Sequence, residues 1–452
     1  MRSSTAWIIF TICLAIFGVA FIWPLFVIVR KGFWDDANNF TLEFLIGVFK
    51  NPIYLEGLFN SFLIALGTTS IVACLSIPLA WLNNKYDYAG KRLLSALLLV
   101  PMILPPFVGA IGMSQILGQY GVLNSFFHLG PIDWLGKARY FGVIILQALS
   151  LYPIMYLNVS AALANIDPAM GDASENLGCT GFEKFRKITL PLIMPGIFAG
   201  GTIVFIWSFT ELGAPLMLNY TRCTPVQVWD ALKDIASSRF PYALVFVMLS
   251  ASVLLYIVGK LVFGRTSYAM QSKAATASNT RQAVGLPRFL LPLVFASVAF
   301  LALLPHIGVI LTAISPSGSW YHSVLPSSLT GEHFSEALGH EMTVQSIRNS
   351  LFFSVLAVIF NLILGIAIAF VVVRSTIPVR GVLDTLSMMP LMVPGIVMAF
   401  GYLAISTMLA NTERVKSSEF LTNLLDVRVN PTLFLVIAYA IRRLPYMVRS
   451  AV

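Results

Sequence analysis

Long apolar runs separated by shorter polar, charged or Gly/Pro-rich stretches set the rhythm of this chain. The runs fall at about 7 to 29, 57 to 82, 94 to 118, 140 to 164, 192 to 212, 242 to 264, 288 to 314, 350 to 373, 386 to 410 and 431 to 450. Crossing a hydrocarbon core takes about 20 apolar helical residues, so the pattern predicts about ten membrane spans. The expected fold class is all-α, a polytopic membrane protein. Trp7 to Val29 is uncharged and longer than the apolar core of a signal peptide, which makes it a retained first span.

Charge gives the runs a direction. With a cytoplasmic N-terminus the inside loops are 83 to 93, 165 to 191, 265 to 287 and 374 to 385, and they hold Lys85, Lys91, Arg92, Lys184, Arg186, Lys187, Arg265, Lys273, Arg281, Arg374 and Arg380. Most acids fall in the outside loops. Orientation follows Lys and Arg, which places 165 to 191 in the cytoplasm. The small, polar and basic stretch 265 to 287 reads as a cytoplasmic linker between a first half, 1 to 264, and a second, 288 to 452.

The halves repeat. Asn60-Ser61 recurs as Asn349-Ser350, Pro101 as Pro390, Pro105 as Pro394 and Gly112 as Gly401, each pair 289 apart (349 − 60 = 390 − 101 = 394 − 105 = 401 − 112). Four landmarks in one gapless register indicate duplication. Six spans in the first half make the repeats parallel, related by an axis along the membrane normal and able to surround a central pathway. In both halves prolines and glycines interrupt a span, which fits either a helix facing an aqueous cavity or a kinked helix with a packing role.

Composition narrows the function. Hydrophobic residues make up 58% of the 452 and charged ones 11%, with mean hydropathy +0.83, against about 25% charged in soluble domains. The net charge of +9 therefore belongs to loop orientation and membrane lipid head groups, and nucleic acid is excluded as a partner. Cys13 and Cys74 fall in spans, while Cys179 and Cys223 fall on opposite sides and cannot pair. No CxxC, GxxxxGK[ST], HExxH or GxSxG occurs, so neither a metal site nor ATP hydrolysis is expected of this chain.

Between the fourth and fifth runs lies a charged loop. Asp167-Pro168 offers a carboxylate N-cap with proline at the first helical position, and Gly178 a stop. Thr180 and Glu183 fit a capping box opening a second short helix that Pro191 ends. Phe182, Phe185 and Ile188 share one face, flanked by Lys184, Arg186 and Lys187. Such a face marks a partner site or a helix resting on lipid.

The loop resembles the EAA loop of binding-protein-dependent ABC importer permeases. It reads Asp172-Ala173-Ser174, then Gly178, then Ile188-Thr189-Leu190-Pro191, with Asp for the family's Glu and Ser for its second Ala. The duplicated chain looks like the fused ferric-iron importer permeases, and thiamine and phosphonate permeases look similar. The resemblance implies that Asp172, Ala173, Ser174, Gly178, Phe182, Phe185, Ile188, Leu190 and Pro191 dock on a cytoplasmic ATP-binding subunit, a homodimer that holds ATP and magnesium. It also implies a soluble or lipid-anchored substrate-binding protein and a bacterial cytoplasmic (inner) membrane location. The outer stretches 221 to 239 and 331 to 341 are the expected contacts of that binding protein.

The second half departs from the pattern. "YPIM" at Tyr152 to Met155 corresponds to "LPYM" at Leu444 to Met447, a shift of 292 (445 − 153), so a second EAA loop would fall beyond Val452. The second repeat is expected to be incomplete and the whole protein to have about twelve spans.

Candidates for the translocation pathway are Glu211, at the outer end of the fifth run, with Pro101, Pro105, Gly112, Pro390, Pro394 and Gly401; Glu211 reads equally as an interfacial cap. Arg442 and Arg443 interrupt the tenth run and mark either its cytoplasmic start or a cavity-facing pair. His322, His333 and His340 share an outer loop with Glu336; a cation site is conceivable there, and solvated loop residues are the commoner explanation. The rival class is an ion-driven secondary transporter, which would need no ATPase.

Overall fold

The computed structural model describes residues 3–35, 37–137, 139–234, 238–263, 280–320 and 323–452. Most of the expected linker, and His322, lie outside the described residues. The main helices are α1 (Ser4–Phe33), α2 (Pro52–Lys85), α3 (Lys91–Leu97), α4 (Pro106–Leu117), α5 (Arg139–Ala164), α6 (Pro168–Asn176), α7 (Gly181–Phe209), α8 (Gly213–Met217), α9 (Phe240–Phe263), α10 (Leu286–Ala313), α11 (Glu341–Arg374), α12 (Arg380–Met388), α13 (Gly395–Ala410) and α14 (Thr432–Ala451). Two-residue strands β1 (Tyr86–Asp87) and β2 (Arg281–Gln282) pair in parallel.

Among the described residues seven helices, α1, α2, α5, α7, α9, α10 and α11, are long and apolar enough to cross a membrane. Helix α14 forms where the tenth run was expected, but Arg442, Arg443 and Arg449 make it too charged to count by that test. The third and ninth runs, expected as spans over 94 to 118 and 386 to 410, are sharply bent instead. The chain turns by 101° between Met102 and Pro106 and by 102° between Leu391 and Gly395.

Both bends have the same construction. Pro101 and Pro390 are buried in 3-10 turns, Val100–Met102 and Met389–Leu391. Pro105 and Pro394 then hold extended backbone, ψ 145° and 139°, just before α4 and α13 begin. Proline lacks an N–H and disfavours helix in the residue before it, so two prolines four residues apart stop one helix and restart another. That the same bend recurs at the same repeat position supports the duplication read from the sequence.

Compact packing does not follow the two sequence halves. One unit comprises 1–58, 227–254 and 336–452; the other comprises 59–226 and 255–335. In the first unit α1 packs on α13, and in the second α10 packs on α4, so the opening helix of each half joins the bent span of the other. The contacts are equivalent. A Cβ on Gly401 would lie 2.8 Å from Pro24 Cβ, and one on Gly112 would overlap the carbonyl oxygen of Pro305 and approach Val309 N to 2.9 Å. Pro24 and Pro305 are thus a further repeat pair, hidden from a single register because 44 residues separate Pro305 from Asn349 and 36 separate Pro24 from Asn60 (349 − 305; 60 − 24).

Helix α1 carries one irregularity. Gly18–Ile22 is a π turn, which holds an extra residue and loosens the local carbonyl ladder. The Tyr402 hydroxyl donates to the Ala20 carbonyl at 2.7 Å, so the buried polar atoms satisfy each other.

Candidate functional site

The charged loop is built from α6, a tight turn and the start of α7. Asp167 Oδ1 accepts the Ala169 N–H at 2.9 Å, with Pro168 at the first helical position, as its sequence predicts. Helix α6 ends at Gly178, whose φ of +82° is left-handed. Gly178 N–H donates to Glu175 O at 3.0 Å and Cys179 N–H to Ser174 O at 2.9 Å, the paired bonds of a Schellman turn.

Two expectations need correction beyond that turn. The capping box does not form: Thr180 precedes the helix without a side-chain cap, and Glu183 Oε1 instead accepts from Lys187 Nζ at 2.6 Å, one turn on. The ion pair wins because both groups are charged and lie on the same helix face. Nor does Pro191 end a separate helix. Gly181–Lys184 passes through a π turn, Phe185–Thr189, into Leu190–Phe209, with Leu190 and Pro191 opening that segment. Proline is tolerated there because the π turn has already interrupted the regular bonding.

The apolar face also differs. Phe182 is 74% exposed, but Phe185 turns inward, its ring centroid 5.1 Å from that of Trp81, and Ile188 lines the same cavity of about 390 Å³. Leu177, 88% exposed, and Met170, 41%, complete the outward apolar surface with Phe182. Sequence reasoning missed both because they lie on α6 and at its end, where the amphipathic pattern is short. Ser174 is buried and its Oγ donates to Gly171 O at 2.7 Å, whereas Ala173 is exposed; the side chain of Asp172 lies outside the described residues.

Glu175 ties the loop together. It accepts from Lys184 Nζ at 3.0 Å and from Arg281 Nη2 at 3.1 Å, and Arg281 belongs to β2, whose neighbour Gln282 donates to Asp87 at 2.8 Å. Lys184 first, then Arg281, hold the Glu175 carboxyl below its usual range. A carboxyl with a lowered pKa keeps its pairs through neutral pH and loses them only as pH falls through that lowered value. Exposed pairs of this kind are weak, so Arg281→Ala should lower transport by no more than about threefold. A complete loss on measuring uptake would show that the β2 strap, and not the Gly178 turn, holds the loop.

Behind the loop, α7 lies along α5. A Cβ on Gly196 would lie 2.6 Å from Ala162 Cβ, one on Gly200 2.8 Å from Met155 Cα, and further along Ser208 Oγ donates to the buried Gln147. Small residues thus allow the two helices to approach closely, the usual means of association in lipid.

Residues 73–268, which include this loop, match the family described as binding-protein-dependent transport system inner membrane component. A probable molybdenum ABC transporter permease protein of Haloferax volcanii is 30% identical over 210 residues, 46% of this chain and 76% of that one. The chain belongs to this family of ABC importer permeases. The ferric transport system permease protein of Actinobacillus pleuropneumoniae is 25% identical to the permease over 378 residues, 80% of this chain and 51% of that relative. The sulfate transport system permease protein of Salmonella typhimurium is 26% identical over 227 residues, 49% of this chain and 77% of its own. The permease thus spans about half the length of the ferric relative. It is a multi-pass protein of the inner membrane.

The pathway candidates of the permease fall into three kinds. Gly112 and Gly401 are buried in helix crossings and serve packing. Pro101, Pro105, Pro390 and Pro394 shape the bends. Glu211 Oε1 accepts the Gly213 N–H, the first of α8, at 3.0 Å, and Gly213 faces Phe107 at the start of α4; a Cβ there would lie 3.0 Å from Phe107 Cβ. Arg442 lies at the other bend, where a side chain on Gly395 would overlap its guanidinium. His333 Nε2 lies 2.9 Å from Ser315 O, and among the described residues no three His, Cys, Asp or Glu side chains group as metal ligands.

Proposed function

We propose that this permease imports ferric iron, powered by ATP hydrolysis in a separate cytoplasmic subunit and supplied by a soluble or lipid-anchored binding protein. One observation favours iron: the ferric relatives of Actinobacillus pleuropneumoniae and Haemophilus influenzae align with 80% of this chain, through both repeats, whereas the molybdenum and sulfate relatives align with 46% and 49%. The outward surface of Met170, Leu177 and Phe182 is the docking face for the ATP-binding subunit, which holds ATP and magnesium. Closure of that subunit pushes on α6, and α7, continuous with the loop, carries the push into the membrane. A small oxyanion is the second reading, favoured by the 30% identity to the molybdenum permease.

The test is uptake. Deleting the gene should abolish import of radiolabelled ferric iron under iron limitation and leave molybdate and sulfate import unchanged. Loss of molybdate or sulfate import alone would make the cargo an oxyanion. Import that survives ATP depletion but collapses with the ion gradient would replace the importer reading with a secondary transporter.

A further inference from the structure

The charged loop and the end of α2 face each other across the cavity of about 390 Å³. Trp81, Asn84 and Lys85 of α2 line one side, and Glu175, Lys184 and Phe185 of the loop line the other. Leu163 and Ala164 of α5 also border it, so two spans end at the cavity and set it level with the membrane surface, on the side that loop charge assigns to the cytoplasm.

Charge in this cavity is unbalanced. Lys85, Lys184 and Arg281 line it beside one carboxylate, Glu175, which leaves a surplus of two positive charges among the described residues (3 − 1). Glu175 is shared by Lys184 and Arg281. Lys85 has no carboxylate partner among the described residues; its Nζ rests 4.7 Å from the centroid of the Trp81 ring and 5.2 Å from that of Tyr86. Ring faces hold an ammonium in place without neutralising it.

Hydrogen-bond donors are in surplus too. Lys184 Nζ donates to Gly171 O at 2.9 Å and to Glu175 Oε1 at 3.0 Å, leaving the third of its donors, and Arg281 reaches Glu175 through Nη2 alone. The Asn84 amide makes no hydrogen bond to the described residues. Positive charge and donors without acceptors favour an anion rich in oxygen. A phosphate group meets that demand with one or two negative charges and several acceptor oxygens, and both Lys and Arg are suited to it. Beside the charged groups, Trp81, Phe185 and Ile188 give the cavity an apolar side.

We propose that this cavity binds a phosphate-bearing anion, which bridges Lys85 to Lys184 and Arg281 and so ties the charged loop to the end of α2. Its source is either the head group of an anionic phospholipid, which basic pockets between spans take up at the cytoplasmic surface, or a free phosphate. The site depends on neither the cargo nor the ATP-binding subunit, so its failure would leave the importer reading intact.

The experiment places the complete permease in phosphatidylcholine nanodiscs, which are titrated with inorganic phosphate or prepared with rising fractions of phosphatidylglycerol. Hydrogen exchange of the loop amides, 171 to 184, reads occupancy, because a loop tied to α2 opens less often. Protection by inorganic phosphate identifies a free phosphate as the ligand, and protection by phosphatidylglycerol alone identifies a lipid head group. With either probe Lys85→Gln should raise the midpoint about tenfold or more, the loss of one charge-assisted hydrogen bond. Lys85→Arg keeps the charge and should stay within about threefold of wild type. If the glutamine variant fails to insert, Arg281→Gln, at an exposed position, carries the same expectation. A loop that neither probe protects would overturn the site, and so would protection of the glutamine variant at the wild-type midpoint.

Discussion

Gly178→Pro should abolish transport and release the ATP-binding subunit while the permease still inserts. Gly178 holds φ at +82° and donates its N–H to Glu175 O. Proline fixes φ near −65° and has no N–H, so both halves of the turn fail, at a cost of about 3 kcal/mol or more. Helix α6 and the start of α7 would then no longer present Met170, Leu177 and Phe182 on one surface. Gly178→Ala is the control. Nothing lies within 4 Å of a Cβ there, so alanine incurs only left-handed strain of about 1–2 kcal/mol and should keep part of the activity. Co-purification of the two subunits reads the result; full association by the proline variant would remove the loop from the coupling route.

The second large effect is expected at Gly112. Gly112→Leu drives a side chain into the carbonyl of Pro305 and the backbone of Gly308, whose own Cβ would lie 2.9 Å from Gly112 Cα. Backbone cannot step aside as a rotamer can, so the penalty should reach the upper end of the roughly 1–3 kcal/mol seen for overpacking, or exceed it. Gly401→Leu meets chiefly the ring of Pro24 and should cost less. Thermal unfolding of the purified permease should therefore show a larger loss for the first variant than for the second. Equal shifts would mean that the two crossings, equivalent by repeat, are also equivalent in tightness.

Much of this was legible in the chain. Apolar runs locate most of the spans, and Pro101, Pro105, Pro390 and Pro394 mark both bends because proline acts locally through its own ring and missing donor. Asp167, Pro168 and Gly178 locate α6 for the same reason. The size of the bends was not legible, since proline says where bonding stops and tertiary contacts decide the angle. The exchange of α1 and α10 between halves depends on contacts hundreds of residues apart. At Glu183 two local patterns competed, a cap with Thr180 and an ion pair with Lys187, and charge decided. The Arg442–Gly395 contact joins residues from different helices and leaves no mark on the spacing of either.

The π turn at Phe185–Thr189 places one extra residue at the loop-to-span junction, and in the proposed coupling that residue would allow rotation there. Such a turn stores one residue more than the α-helix around it, and each α-helical residue corresponds to about 100° of rotation. Expelling that residue toward the loop would swing the face of α7 that carries Gly196, Gly200 and Ser208 around its own axis with little change in length. If the ATP-binding subunit pushes at Phe182 as proposed, that push would be convertible into torque on a helix whose last residue, Phe209, lies two residues before Glu211.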